Sequence, residues 1–210
     1  MNQLHFSALH GFASAQLPVS PTHQKYKTPY NQQPWFVCGI FIFLMLAAPF
    51  AHSTGTPALP ADYRPCNADA YSIDPDESGT NIRRHPSAQS PVLRKINTQG
   101  HGFDVHITGY ASGWFQINKA SDPTEEDKTL FKGNGWIHAS LLGADGMGSG
   151  TRLFSAPSLT AKKTGLVRVN EGATLKSCSG KWLEVKNSTN GKIGWAAPGT
   201  LCINSLTTCP

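Results

Sequence analysis

Charge is scarce in this chain. Only 15% of its 210 residues are Asp, Glu, Lys or Arg, too few for a helical bundle or a coiled coil, whose exposed faces are built from charged side chains. Acids are missing altogether from residues 1–61, where Lys25 and Lys27 are the only lysines or arginines. No apolar run reaches the ~20 residues that a membrane-spanning helix needs; the longest, Trp35 to Phe50, contains Pro49 near its end. No Cys-x-x-Cys pair occurs, no serine sits in a Gly-x-Ser-x-Gly elbow, and His85, His101, His106 and His138 fall at no regular ligand spacing. These absences argue against a zinc site and against a serine-hydrolase site, so no metal, no cofactor and no catalytic residue is expected. Glycine and proline, 20 and 15 residues, are plentiful beside a hydrophobic fraction of 39%. That combination points to short strands and many turns, an all-β chain.

The missing acids mark off the first segment. A polar, weakly basic stretch runs to Pro34, the uncharged run follows, and Ala51-His52-Ser53 places small residues at −3 and −1 of a cut after Ser53. These are the parts of a secretory signal peptide, so residues 1–53 are expected to be removed on export, touching the membrane only in transit. The mature chain is then periplasmic or secreted and keeps Cys66, Cys178, Cys202 and Cys209. Four cysteines in an oxidising compartment are disulfide candidates with three possible connectivities. Proximity within one small unit favours Cys178 with Cys202, leaving Cys66 and Cys209 to tie the ends.

A tandem repeat organises the remainder. Gly79-Thr-Asn-Ile-Arg-Arg-His-Pro86-Ser87 and Gly150-Thr-Arg-Leu-Phe-Ser-Ala-Pro157-Ser158 align at an offset of 71 residues. Downstream, Ser112-Gly-Trp114-Phe-Gln-Ile117 answers Ser179-Gly-Lys-Trp182-Leu-Glu-Val185, and Gly135-Trp136-Ile137 answers Gly194-Trp195-Ala196. Within each copy the pattern has period two, as in Phe103, Val105 and Ile107 or Leu183 and Val185, and Asn190-Gly191 is a strong hairpin signal. Each copy is predicted to be a small closed barrel of about five antiparallel strands. The boundaries are a tether at 54–70, barrel one at 71–143 with an exposed acidic insertion at 119–132, a flexible Gly-rich linker at 144–150, and barrel two at 151–210.

Thr80-Asn81-Ile82-Arg83-Arg84-His85-Pro86-Ser87 and Gly135-Trp136-Ile137-His138 resemble the bacterial SH3-like domain family, in which an Asn-aliphatic-Arg…Pro-Ser strand opens the barrel and a Gly-Trp strand follows near its end. The second copy has Arg152 and Phe154 in place of the Asn and Arg and is a divergent member. The resemblance implies two small SH3-like β-barrels in tandem and a non-catalytic binding module, since many such domains associate with cell-wall peptidoglycan.

Alternation supplies candidate contact residues independently. If Phe115, Ile137, Leu183 and Ala196 point inward, then Trp114, Trp136, Trp182 and Trp195 point outward. An indole left in water forgoes about 2 kcal/mol relative to burial, so these four are either covered by the protein or bind a ligand. Charge divides unevenly: residues 54–150 hold 8 basic and 11 acidic side chains, net −3, whereas residues 151–210 hold 8 and 2, net +6. An exported basic module can attract an anionic wall polymer, and export disfavours nucleic acid. The alternative partner is an envelope protein, with the chain as adaptor, inhibitor or immunity protein and the acidic insertion as a mobile specificity loop.

Overall fold

The period-two runs are strands, and they lie where the pattern placed them. The computed structural model describes residues 58–126, 128–204 and 206; the signal segment, Cys209 and the first residues of the tether lie outside these. The described residues are all-β, with thirteen strands and a single 3-10 turn at Ala139–Leu141. The strands are β1 (Arg64–Ser72), β2 (Thr80–Arg83), β3 (Val92–Ile96), β4 (Asp104–Ala111), β5 (Trp114–Ser121), β6 (Thr129–His138), β7 (Leu142–Gly146), β8 (Thr151–Phe154), β9 (Lys163–Val167), β10 (Gly172–Ser179), β11 (Trp182–Asn187), β12 (Ile193–Ala196) and β13 (Leu201–Cys202). Phe103, Val105, Ile107, Phe115 and Ile117 fill the core on one side, and Leu153, Leu175, Leu183 and Val185 on the other. The Asn190-Gly191 turn joins β11 to β12, with Gly191 at φ 70°.

The repeat is visible strand by strand. The pairing order β3-β2-β6-β5-β4-β1 is matched by β9-β8-β12-β11-β10-β7, so β1 to β6 correspond to β7 to β12. Turn hydrogen bonds repeat as well: Arg84 N–H donates to Pro91 O and Ser87 N–H to His85 O, as Ser155 N–H does to Lys162 O and Ser158 N–H to Ala156 O. Even a bulge is shared, since Thr108 is skipped between Ile107 and Gly109 as Lys176 is between Leu175 and Ser177. The glycine of each Gly-Trp pair has a packing reason. A Cβ at Gly135 would lie 2.3 Å from Ile82 Cγ2, and one at Gly194 would lie 2.9 Å from Leu153 Cβ, the counterpart of Ile82.

The two copies do not close into separate barrels. They form one continuous antiparallel sheet, because β7 pairs with β1 on one side and β10 on the other and also takes β13. Strand β7 is thus the last strand of the first lobe and the first strand of the second. Of the predicted linker at 144–150, residues 144–146 belong to this strand. The predicted tether at 54–70 is likewise strand from Arg64 onward, with buried Cys66, Ala68 and Ala70 alternating with exposed residues. Between β1 and β7, Tyr71 Oη donates to Asp145 Oδ1 at 2.7 Å; burial and the carboxylate hold this phenol's pKa far above its usual value.

The predicted disulfide preference is also corrected. Cys178 is bonded to Cys66, 112 residues away, with Cα atoms 6.0 Å apart. Asn67 N–H donates to Gly180 O and Gly180 N–H to Pro65 O, which brings the start of β1 against the end of β10. Cys202 is also disulfide-bonded.

The acidic insertion extends the β5–β6 hairpin, with Ser121 still paired to Thr129. Its described residues are pinned: buried Asp122 accepts from Thr124 N–H at 2.9 Å and Thr124 Oγ1 at 2.6 Å and faces Lys128 Nζ at 3.2 Å. These hydrogen bonds, with Lys128, hold the Asp122 carboxyl far below its ordinary 3.8. A depressed folded-state pKa contributes stability that is full above the unfolded value and lost as pH falls through the folded one. The Thr124 amide resonance is therefore expected to stay constant down to about pH 4 and to move only below it. A midpoint at or above 3.8 would show that the carboxylate is not held.

Candidate functional site

The outward faces of the two lobes hold the tryptophans, and the structure treats the copies differently. In the second lobe the parity argument holds for both residues. Leu183 and Ala196 are buried, while Trp182 and Trp195 are half-exposed on the other face. Trp195 stands opposite Glu184 on β11 and opposite Phe154 on β8. Phe154 also meets Trp182 edge-on, with ring centroids 6.0 Å apart and planes at 84°. The result is an aromatic cluster of Phe154, Trp182 and Trp195 with one carboxylate beside it. Phe154 was not among the candidates. Its signal was its departure from the repeat, since it occupies the place of Arg83, which pairs with Trp136.

In the first lobe Trp114 is half-exposed and meets His138 edge-on at 5.1 Å and 82°. Trp136 is only 4% exposed, so its predicted outward, accessible position is corrected. Its cover is Tyr63, which precedes β1. The Tyr63 ring meets Trp136 edge-on at 6.2 Å, and its hydroxyl donates to Gln116 Oε1 at 2.9 Å, with the Thr108 carbonyl oxygen 3.2 Å away. Gly109 makes room for the ring, because a Cβ there would lie 2.3 Å from Tyr63 Cε2. The neighbouring Asp62 fixes the segment by accepting from Ser112 N–H at 2.7 Å and Ser112 Oγ at 3.0 Å, bonds that lower its pKa. Trp114 and Trp136 therefore do not form one accessible surface.

A Gly109→Ala substitution is expected to drive the Tyr63 ring off this face. Exchange of the Trp136 indole N–H, followed by NMR, should rise several-fold while the exchange of Trp195 stays unchanged. If Trp136 exchange is unaltered, Tyr63 is not what seals it.

Of the cysteine candidates, Cys66 and Cys178 staple β1 to β10, Cys178 fully buried and Cys66 nearly so. Beside them, Asn67, Asp69, Lys181, Pro198 and Ile203 line a cleft of about 330 Å³ between β1 and the second lobe. His106 Nδ1 lies 2.7 Å from Asp69 Oδ1 at its edge, an exposed hydrogen-bonded pair of the first lobe.

No family model matches the chain, and no curated protein matches it. Among solved structures it is similar to NlpC2 from Trichomonas vaginalis, at 17% identity over 64% of this chain and 47% of that one, with a TM-score of 0.26. NlpC1 from the same organism is similar at 16% identity over 70% of this chain and 47% of that one, also with a TM-score of 0.26. The chain spans about half the length of each. A likeness this slight transfers neither fold nor activity.

Proposed function

We propose that the exported chain is a non-catalytic binding protein of the SH3-like type that recognises cell-wall peptidoglycan through outward tryptophans. One observation carries this reading: Trp114, Trp182 and Trp195 remain half-exposed on a rigid sheet, each on the face opposite the core. Flat indoles beside hydrogen-bonding groups suit sugar rings, which offer an apolar face and a rim of hydroxyls. The Cys66–Cys178 cystine favours an oxidising compartment, and periplasmic or secreted placement follows from it together with the leader. The test is sedimentation of the protein with purified sacculi. Binding at low salt supports the reading, and absence of binding there sinks it.

A second reading, recognition of an envelope protein as adaptor, inhibitor or immunity protein, is favoured by the hairpin tip, where Glu125 and Glu126 are exposed on a turn that Asp122 holds in shape. Deleting residues 119–132 separates the two: wall binding through tryptophans survives the deletion, and protein binding through the tip does not.

A further inference from the structure

We infer that the second lobe carries the ligand and that the ligand is an anionic glycan laid along a cross-strand row on which Lys163, Trp195 and Glu184 are accessible and Phe154 and Ser177 are buried. The inference rests on the wall-binding reading and assigns its site. The row is continuous across five strands: Lys163 is the cross-strand partner of Phe154, Phe154 of Trp195, Trp195 of Glu184, and Glu184 of Ser177. Four inter-strand spacings make it about 19 Å long.

Each position contributes a different chemistry. Trp195 offers a half-exposed indole at the middle, and Phe154 supports the edge of Trp182 beside it. Glu184 can accept from sugar hydroxyls next to the indole. At the end of the row the Ser177 hydroxyl is buried, the residue being 5% exposed, and it has no hydrogen-bond partner among the described residues.

Charge selects the class of glycan. Residues 151–210 carry 8 basic and 2 acidic side chains, yet the lysine ion pairs among the described residues, Lys128 with Asp122 and with Glu125, lie in the first lobe. Lys163 and Lys186 are exposed on the row's own face, and Lys176 is the extra residue of the bulge beside it. Unpaired lysines around an aromatic centre suit carboxylates carried on sugar rings.

The first lobe shows why the sites are not equivalent. Its matching row is Arg83, Trp136, Gln116 and Gly109, and Tyr63 lies across it. In the second lobe Ser177 stands where Gly109 does, and a Cβ at Gly109 would come within 2.3 Å of the tyrosine ring. Trp195 keeps its indole half-exposed where its counterpart Trp136 is sealed.

The test uses the full chain recovered after export, with two probes: soluble polygalacturonate oligomers, followed by tryptophan fluorescence, and purified sacculi. Binding of both should weaken with salt, and the exposed charge reversals Lys163→Glu and Lys186→Glu together should weaken it at least about ten-fold without disturbing packing. Trp195→Ala should act similarly, while Arg94→Glu on the first lobe should leave binding within about two-fold. Sacculus binding that survives all second-lobe variants but is lost in Trp114→Ala overturns the assignment and leaves the wall-binding reading standing. Binding of the oligomers through the row without binding of sacculi overturns the wall reading and leaves the assignment. Failure to bind either probe overturns both. Equal, salt-independent affinity for neutral chitotetraose overturns the anionic class, and equal affinity for single-stranded DNA overturns the carbohydrate class.

Discussion

Replacing Cys66 and Cys178 together by alanine is expected to lower the unfolding free energy by about 4 kcal/mol, enough to leave a sheet of this size marginal at 37 °C. The magnitude follows from the loop that the bond closes. Its ends are 112 residues apart, and cross-linking a loop of about 100 residues removes chain entropy from the unfolded ensemble worth about 4–5 kcal/mol. Location adds to it, because the bond joins β1 of the first lobe to β10 of the second, the two strands that flank β7. Urea unfolding of the double variant beside the wild type reads the difference directly. Reductant alone would not isolate it, since Cys202 is in a second bond. A change below about 1 kcal/mol would mean that strand pairing through β7 already holds the lobes and that the staple is redundant.

How much of this was legible in the sequence depends on how far each interaction reaches. Strand parity is local, and Phe103 to Ile107, Phe115 to Ile117 and Leu183 to Val185 alternate in the structure as they do in the chain. The repeat is also local in kind, since like segments make like turns. The burial of Trp136 was not legible, because its cover comes from Tyr63, 73 positions earlier, and no period in the strand containing Trp136 can announce it. A subtler sign was present in Gly109, an otherwise unexplained glycine inside a strand pattern, which marks close approach of another group. The cysteine pairing failed for the same reason. Proximity in sequence favoured Cys178 with Cys202, whereas sheet order sets the start of β1 beside the end of β10, so Cys66 is the neighbour in space. In the candidate site, parity alone places Trp182 and Trp195 outward, whereas Phe154 stands out in the sequence only as the residue in the place of Arg83.

Strand β7 is where composition misled most, and Gly146→Ala tests its role. A Gly-rich stretch ordinarily signals a flexible joint. Here Gly146 is a site of backbone contact: its N–H donates to Glu171 O at 3.0 Å, its carbonyl accepts from Asn170 N–H at 3.1 Å, and it pairs with Leu201 of β13. An added Cβ would lie 2.6 Å from the Val167 carbonyl oxygen and closer still to that of Arg168. Both obstacles are backbone, so no rotamer change relieves them, and the connection between β9 and β10 must move away from β7. Overpacking of this kind costs about 1–3 kcal/mol where side chains can yield, and rigid backbone places Gly146→Ala at or above the top of that range. Gly172→Ala is the matched control, because its nearest neighbours would stand at 3.6 Å, an ordinary contact; it should stay within about 1 kcal/mol of the wild type. Thermal unfolding of both variants decides the matter. A Gly146→Ala protein as stable as the Gly172→Ala control would return residues 144–150 to the status of a linker. Loss of stability in Gly146→Ala alone, with strand β13 amides exchanging faster, would establish that this glycine is what seats β7 against the β9–β10 connection and β13.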